Sequence, residues 1–299
     1  NGFTDQHAWT HWSPKLGISA RLAPGLLAYG SWTRAYRSGG YNLRITAPAA
    51  FVAVATANGA AFDAERVDSF EGGLKYASPD GKASLHLAAY RTNIRNMQRE
   101  TSLSSGASGL AQSVYNTADA RITGFEAEAS HRPLPGLTLG ANLGHIDAQY
   151  TTVRVDISGD NAITAADAAL ALPRVPKWTY GFALSHDLPL GGNMGLASRV
   201  AFQHRSKYAY TDTNFGWVGA LDNLDADLTL RLPVKGWSLS LYGRNLLDQV
   251  QFGGDTQIPF GAGAFSDGNN RPFDPAPAAG TFSPLMKGRV LGVEVTLEY

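Results

Sequence analysis

What most constrains this chain is the order of its connections. Tight Pro/Gly turns recur at "RLAPGL" (residues 21–26), "SPDGK" (78–82), "RPLPG" (132–136), "DLPLGGN" (187–193) and "LPVKG" (232–236). Proline presets φ and glycine accepts positive φ, so each predicts a hairpin turn. Between them lie long irregular segments, at roughly 45–61, 101–113, 153–173, 211–220 and 251–284. Short and long connections alternate throughout. Antiparallel strands joined in this way put every tight turn at one end of a sheet and every long loop at the other.

The stretches between connections alternate with the period of two that belongs to strands. Leu224, Ala226, Leu228, Leu230 and Leu232 alternate with Asp225, Asp227, Thr229 and Arg231. Trp237, Leu239 and Leu241 alternate with Ser238, Ser240 and Tyr242, and Val293, Val295, Leu297 and Tyr299 with Glu294, Thr296 and Glu298. Convincing helical periodicity is scarce. About eleven strands are predicted, roughly at 10–22, 25–44, 63–77, 82–99, 114–132, 137–152, 174–188, 194–210, 221–232, 236–249 and 286–299. Several exceed the usual five or six residues of a globular strand, whereas about 9–11 residues are needed to cross a bilayer. A soluble β-sandwich also alternates, but its strands are short and its loop lengths mixed. The pattern predicts an all-β, antiparallel transmembrane β-barrel with short periplasmic turns and long extracellular loops. Lipid would then cover Val293, Val295 and Leu297. Glu294 and Glu298 would face a wet interior, with Tyr299 at an aromatic belt.

Composition excludes several other readings. Lysine plus arginine equals aspartate plus glutamate, 25 each, so net charge points to neither nucleic acid nor an acidic partner. There is no cysteine, hence no disulfide framework or thiolate metal site. No stretch is apolar enough for a membrane helix. The opening "NGFTDQHAWT" has neither a basic start nor an apolar run, so it is not a signal peptide. An odd strand count conflicts with the even number of bacterial barrels. The expectation is therefore a piece of a larger barrel that begins in an outer loop.

Specific stretches carry a family resemblance. "SPKLGISARLAPGLLAYGSWTRAYRSGGYN" (13–42), "ERVDSFEGGLKYASPDGKASLHLAAYRTNIRNMQ" (65–98) and "ARITGFEAEASHRPLPGLTLGANLGHIDAQYT" (120–151) resemble successive hairpins of TonB-dependent outer-membrane receptors. "PRVPKWTYGFAL" (173–184), "LSLYGRNLLDQ" (239–249) and the last strand complete the series. The resemblance implies the C-terminal part of such a barrel, about 11 of 22 strands, with the plug domain and N-terminal strands absent. It implies a Gram-negative outer-membrane location and uptake of a scarce nutrient, a ferric siderophore above all. Its implied partners are outer-membrane lipid, a small-molecule ligand such as an iron chelate, TonB only through the plug, and the barrel assembly machinery through the C-terminal strand. Tyr299 is similar to the terminal aromatic of the family's assembly signal. A passive porin-like channel or a surface adhesin is the alternative.

Candidate ligand contacts lie in the long loops and upper lumen: Arg34, Arg37, Tyr41, Arg44, Arg205, Tyr208, Tyr210, Trp217 and Arg271. Arginine and aromatic rings suit anionic or planar ligands. "DISGDNAITAAD" places Asp156, Ser158, Asp160 and Asp167 at ligand positions of a calcium loop. Asn161 replaces the glycine and Asp167 the bidentate glutamate of that pattern, so an ordinary acidic loop competes with it. Glu126 and Glu128 share a polar strand face, which reads as lumen charge rather than catalysis. Asn245 and Asp248 are expected to bond local backbone where a strand ends. Gly39 and Gly40 are expected to relieve crowding near the rim. His7 and His11 do not suit joint chelation in a strand. No cofactor is expected, and no enzyme activity.

Overall fold

The structure, a computed structural model, describes residues 6–42, 61–104, 110–158, 162–214, 216–234, 236–252, 256–259, 279–282 and 285–297. Eleven strands form one antiparallel sheet in chain order. They are β1 (Lys15–Ala23), β2 (Leu26–Arg37), β3 (Glu65–Ala77), β4 (Ala83–Ser104), β5 (Leu110–Leu134) and β6 (Leu137–Val153). The series continues with β7 (Trp178–Gly191), β8 (Met194–Arg205), β9 (Leu221–Arg231), β10 (Trp237–Arg244) and β11 (Val290–Leu297). All five predicted tight turns are present, at one end. In two of them Gly25 and Gly136 adopt φ of 76° and 75°. A Cβ at either would strike the carbonyl of Ala77 or Asp187 on the next strand, so only glycine fits.

Register sorts the side chains, because residues directly opposite project from the same face. One cross-strand row runs Leu224, Phe202, Phe182, Ala141, Ala129, Leu85, Tyr76, Leu26 without a charge. Near one edge of the sheet, Val295, Leu239, Leu230, Leu196 and Leu188 form another. Among the described residues nothing covers this face: Leu291, Val293 and Val295 are 71%, 67% and 61% exposed. A continuous, uncovered apolar face several strands wide is what lipid demands. The opposite face is polar, and small over much of its area. Asp225, Ala201, Ala183, Gly140, Ser130, Ser84 and Ala77 form one of its rows. Among the described residues the edges of β1 and β11 are not paired to each other, so the sheet is an open wall.

Protein burial is concentrated at the long-loop end of the inner face. There Met97, Ala118, Ala120 and Tyr150, on β4, β5 and β6, pack against Ile157 and Leu172 of the following loop. That loop contains a single helical turn, α1 (Ala165–Ala168), capped by Thr164.

Several ends differ from expectation. β2 stops at Arg37 rather than 44, and Gly40–Tyr41 pairs separately with Ala61–Phe62. β4 reaches Ser104 and β5 starts at Leu110, so most of the expected loop at 101–113 is paired strand. "TSLSSGASGL" has no apolar alternation, but beyond a membrane a hairpin needs no apolar face. β7 starts at Trp178 rather than 174, after Arg174 at φ 63° and the N–H-free Pro176. β8 ends at Arg205, and Tyr208–Ala209 pairs with Trp217–Val218 instead. β10 ends at Arg244 because Asn245 turns to φ 49°.

Candidate functional site at the wall's long-loop end

Three amides fix the rim, Asn42 and Gln98 buried and Asn116 half-buried. Asn42 accepts from Val114 N–H at 2.7 Å and donates to its carbonyl at 3.0 Å. Gln98 donates to the Ser38 and Asp63 carbonyls at 2.9 Å each, while its own N–H reaches Glu65 Oε2 at 2.7 Å. Asn116 accepts from Asp63 N–H at 2.7 Å and donates to its carbonyl at 2.9 Å. The segment after β2 is thereby stitched to the β4–β5 hairpin. Gly39 and Gly40 relieve crowding there: a Cβ on Gly39 would overlap Trp9, and one on Gly40 would lie 2.7 Å from the Phe62 ring.

Two further loops form a shelf beside this rim. Arg174 N–H donates to the Ala209 carbonyl at 2.7 Å, and Asn214 clamps both backbone groups of Ala171 at 2.8 and 2.9 Å. Arg174 Nη2 donates to the Tyr210 hydroxyl at 3.2 Å, with its guanidinium 5.0 Å from that ring's centroid. Arg205 lies 4.8 Å over Tyr208, and Lys207 5.4 Å over Trp217. Asp212 pairs with Arg99 of β4 at 3.4 Å. Burial raises the Asp212 carboxyl above its ordinary range, against the pull of Arg99 and Arg174. Cations and π-faces arranged together favour anionic, aromatic or planar guests.

The acidic loop is organised by its own carboxylate. Asp167 is fully buried, and Oδ1 accepts from Ile157 and Ser158 N–H at 2.7 Å each. Its Oδ2 accepts from Thr164 N–H at 2.7 Å, closing a capping box with the Thr164 side chain. Burial alone would raise this carboxyl, but the backbone donors of Thr164, Ser158 and Ile157 hold it below the ordinary range. Both oxygens thus accept backbone N–H groups of the loop itself. Asp156 accepts from Ser158 Oγ at 3.3 Å, and Asp160 lies outside the described residues. Among the described residues no group of three or more His, Asp or Glu is arranged to hold a metal.

Of the residues singled out for ligand contact, Tyr208, Tyr210 and Trp217 come together on the shelf, and Arg205 joins them from the end of β8. Arg37, opposite Glu65, is on the inner face, with Tyr41 close by on its separate ribbon. Arg34 is elsewhere: it follows Leu26, Ala28, Gly30 and Trp32 on the apolar outer face and pairs with Asp68 at 2.7 Å. Arg44, Arg271 and Tyr299 lie outside the described residues. Arg99, Arg174 and Asp212 were not anticipated, since each gains meaning only when two loops and β4 converge. Asn245 holds local backbone as expected, accepting from Gln249 N–H at 3.1 Å, whereas Asp248 accepts from the sequence-distant Arg289 N–H at 3.3 Å.

Comparisons with known proteins agree with this architecture. The TonB dependent receptor-like β-barrel family model matches residues 1–246. The ferric yersiniabactin uptake receptor FyuA from Yersinia pestis is 20% identical at a TM-score of 0.69, over 95% of this chain and 37% of its own. The siderophore receptor PiuA from Acinetobacter baumannii is 17% identical at 0.62, over 96% and 36%. The copper transporter OprC is 16% identical at 0.61, over 96% and 40%. The chain thus spans under half the length of each of these proteins. With an eleven-stranded wall, one uncovered apolar face, long loops at one end and a family match over most of its length, this chain belongs to the TonB-dependent receptor β-barrels of the Gram-negative outer membrane.

Proposed function

We propose that this chain supplies about half the wall, and part of the mouth, of a receptor that imports a scarce nutrient with energy from TonB. A ferric siderophore is the leading substrate class. Further strands complete the barrel, since unpaired backbone at the edges of β1 and β11 would cost several kcal/mol per group in hydrocarbon. A plug domain inside that barrel supplies the contact with TonB, and the C-terminal strand is the handle for the assembly machinery. The observation that carries the reading is the ordered shelf of Arg99, Arg174, Arg205, Tyr208 and Tyr210 beside the inner face. Guanidinium groups and phenol rings suit a large anionic chelate better than a small ion.

The test is uptake of radioactive iron, presented on a panel of siderophores, by cells expressing the full-length receptor. The reading expects one chelate class to enter, only when TonB is present, and more slowly with Arg174→Ala. Uptake independent of TonB would make the barrel a passive channel and overturn it. Import of free copper with no iron chelate taken up would overturn the substrate class alone.

A further inference from the structure

The outer face carries a second charged feature, at the long-loop end beyond the apolar band. A row of rings marks the boundary. Trp32 stacks on Phe70 at 6.4 Å, Phe125 on His145 at 5.4 Å, and Tyr180 on His204 at 4.5 Å. Two residues further along β2, about 7 Å by the strand rise, stands Arg34, its guanidinium 5.4 Å from the Trp32 ring. From here an open groove of about 960 Å³ runs across β2 to β6. Six arginines line it: Arg34, Arg66, Arg91, Arg95, Arg121 and Arg154. Only two aspartates accompany them, Asp68 and Asp119, with Asp147 further along the same face opposite Thr123.

The carboxylates are already engaged. Asp68 takes both Arg34 at 2.7 Å and Arg66 at 3.3 Å, and Asp119 takes Arg154 at 2.9 Å. Arg91, Arg95 and Arg121 form no ion pair among the described residues. Arg121 Nε is buried without a hydrogen-bond partner. Arg66 and Arg95 stand directly opposite each other across β3 and β4, a pairing that like charge destabilises. Such a surplus at the level of the headgroups needs an external anion. The outer leaflet of a Gram-negative outer membrane is built from phosphorylated glycolipid, and guanidinium binds phosphate bidentately. We infer that this groove is a docking site for the phosphorylated sugar headgroup of an outer-leaflet glycolipid. Its acyl chains would lie on the apolar face below, past Trp32 and Phe70.

Native mass spectrometry of the full-length receptor in detergent tests this, with added lipid A, dephosphorylated lipid A and phosphatidylglycerol as probes. Lipid A should bind tightest, and removing its phosphates should weaken it by about tenfold or more, the scale of one charge-assisted contact. Replacing Arg91, Arg95 and Arg121 with glutamine should have a similar effect, whereas Arg199→Gln on the inner face should have none. Equal binding of dephosphorylated lipid A, or of phosphatidylglycerol, would overturn the assignment. The lipid comparison uses the unaltered receptor, so it stands even if the triple variant fails to fold.

Discussion

Asp167 offers a sharp test of how the mouth is built. Its carboxylate accepts three backbone N–H groups at 2.7 Å, from Ile157, Ser158 and Thr164. Ile157 is fully buried, so water cannot replace its lost partner, whereas Ser158 and Thr164 lie nearer solvent. One charge-assisted bond to a buried donor is worth about 2–3 kcal/mol, and each of the other two about 1. Asp167→Ala should therefore destabilise the loop locally by roughly 4 kcal/mol. Asp167→Asn keeps one acceptor oxygen for Ile157 and Ser158 but turns an NH2 group towards Thr164, costing roughly half as much. Hydrogen exchange of residues 154–175 in the full-length receptor reads this directly. Protection should fall by roughly two to three orders of magnitude for the alanine variant. The carboxyl is held below its ordinary range when folded. Its contribution is therefore complete above about pH 4 and is lost as pH falls through the lower folded value. Calcium or a chelator should leave the exchange unchanged. Wild-type protection in Asp167→Ala, or protection that requires calcium, would refute this account of the loop.

Other perturbations separate the two faces and the parts of the rim. Leu228→Arg, on the lipid face opposite Leu241, should cost about 2–4 kcal/mol of folding stability in vesicles. Thr229→Arg, one residue along and facing inward, should change it by less than about 0.5 kcal/mol. Gln98→Leu leaves the Ser38 carbonyl without its donor and removes one of the two donors to the Asp63 carbonyl, and should loosen Gly40–Tyr41 by about 1–3 kcal/mol in hydrogen exchange. Asp212 is raised by burial, so it takes up its proton at a higher pH than an ordinary carboxylate, and that protonation favours the folded shelf. It also frees the charges of Arg99 and Arg174. Affinity for an anionic chelate, measured by fluorescence quenching, should rise as pH falls, and Asp212→Asn should flatten the dependence.

The wall was legible in the sequence because lipid and water impose opposite chemistries on alternate residues. Leu239 and Val295, or Ser240 and Glu294, fall on their faces by counting in twos and are indeed paired. Tight turns were legible for the same local reason, as at Gly25 and Gly136. Strand ends beyond the membrane were not, since paired backbone there needs no apolar signature, as in β4 and β5. Counting in twos from Leu26 would also have placed Arg34 on the outer face. Its basic character drew attention to the ligand instead. The shelf was only half legible. Tyr208, Tyr210 and Trp217 are prominent in one loop. Arg99, Arg174 and Asp212 come from segments that no short-range pattern connects. The calcium-like spacing of Asp156 to Asp167 illustrates the converse: a carboxylate at a suggestive interval, Asp167, is engaged by backbone N–H groups of its own loop.

The two-faced wall is the claim on which the rest depends, and cysteine scanning tests it most directly. These 299 residues contain no cysteine, so single substitutions from Val200 to Gln203 on β8 and from Ala226 to Thr229 on β9 report without interference from this chain. Each would be probed in intact outer membranes with a water-soluble maleimide and with a lipid-soluble quencher. Cysteines at 201, 203, 227 and 229 should be open to the aqueous reagent, and those at 200, 202, 226 and 228 only to the quencher. Loss of that alternation, or its reversal, would contradict the assignment of lipid and lumen to the two faces.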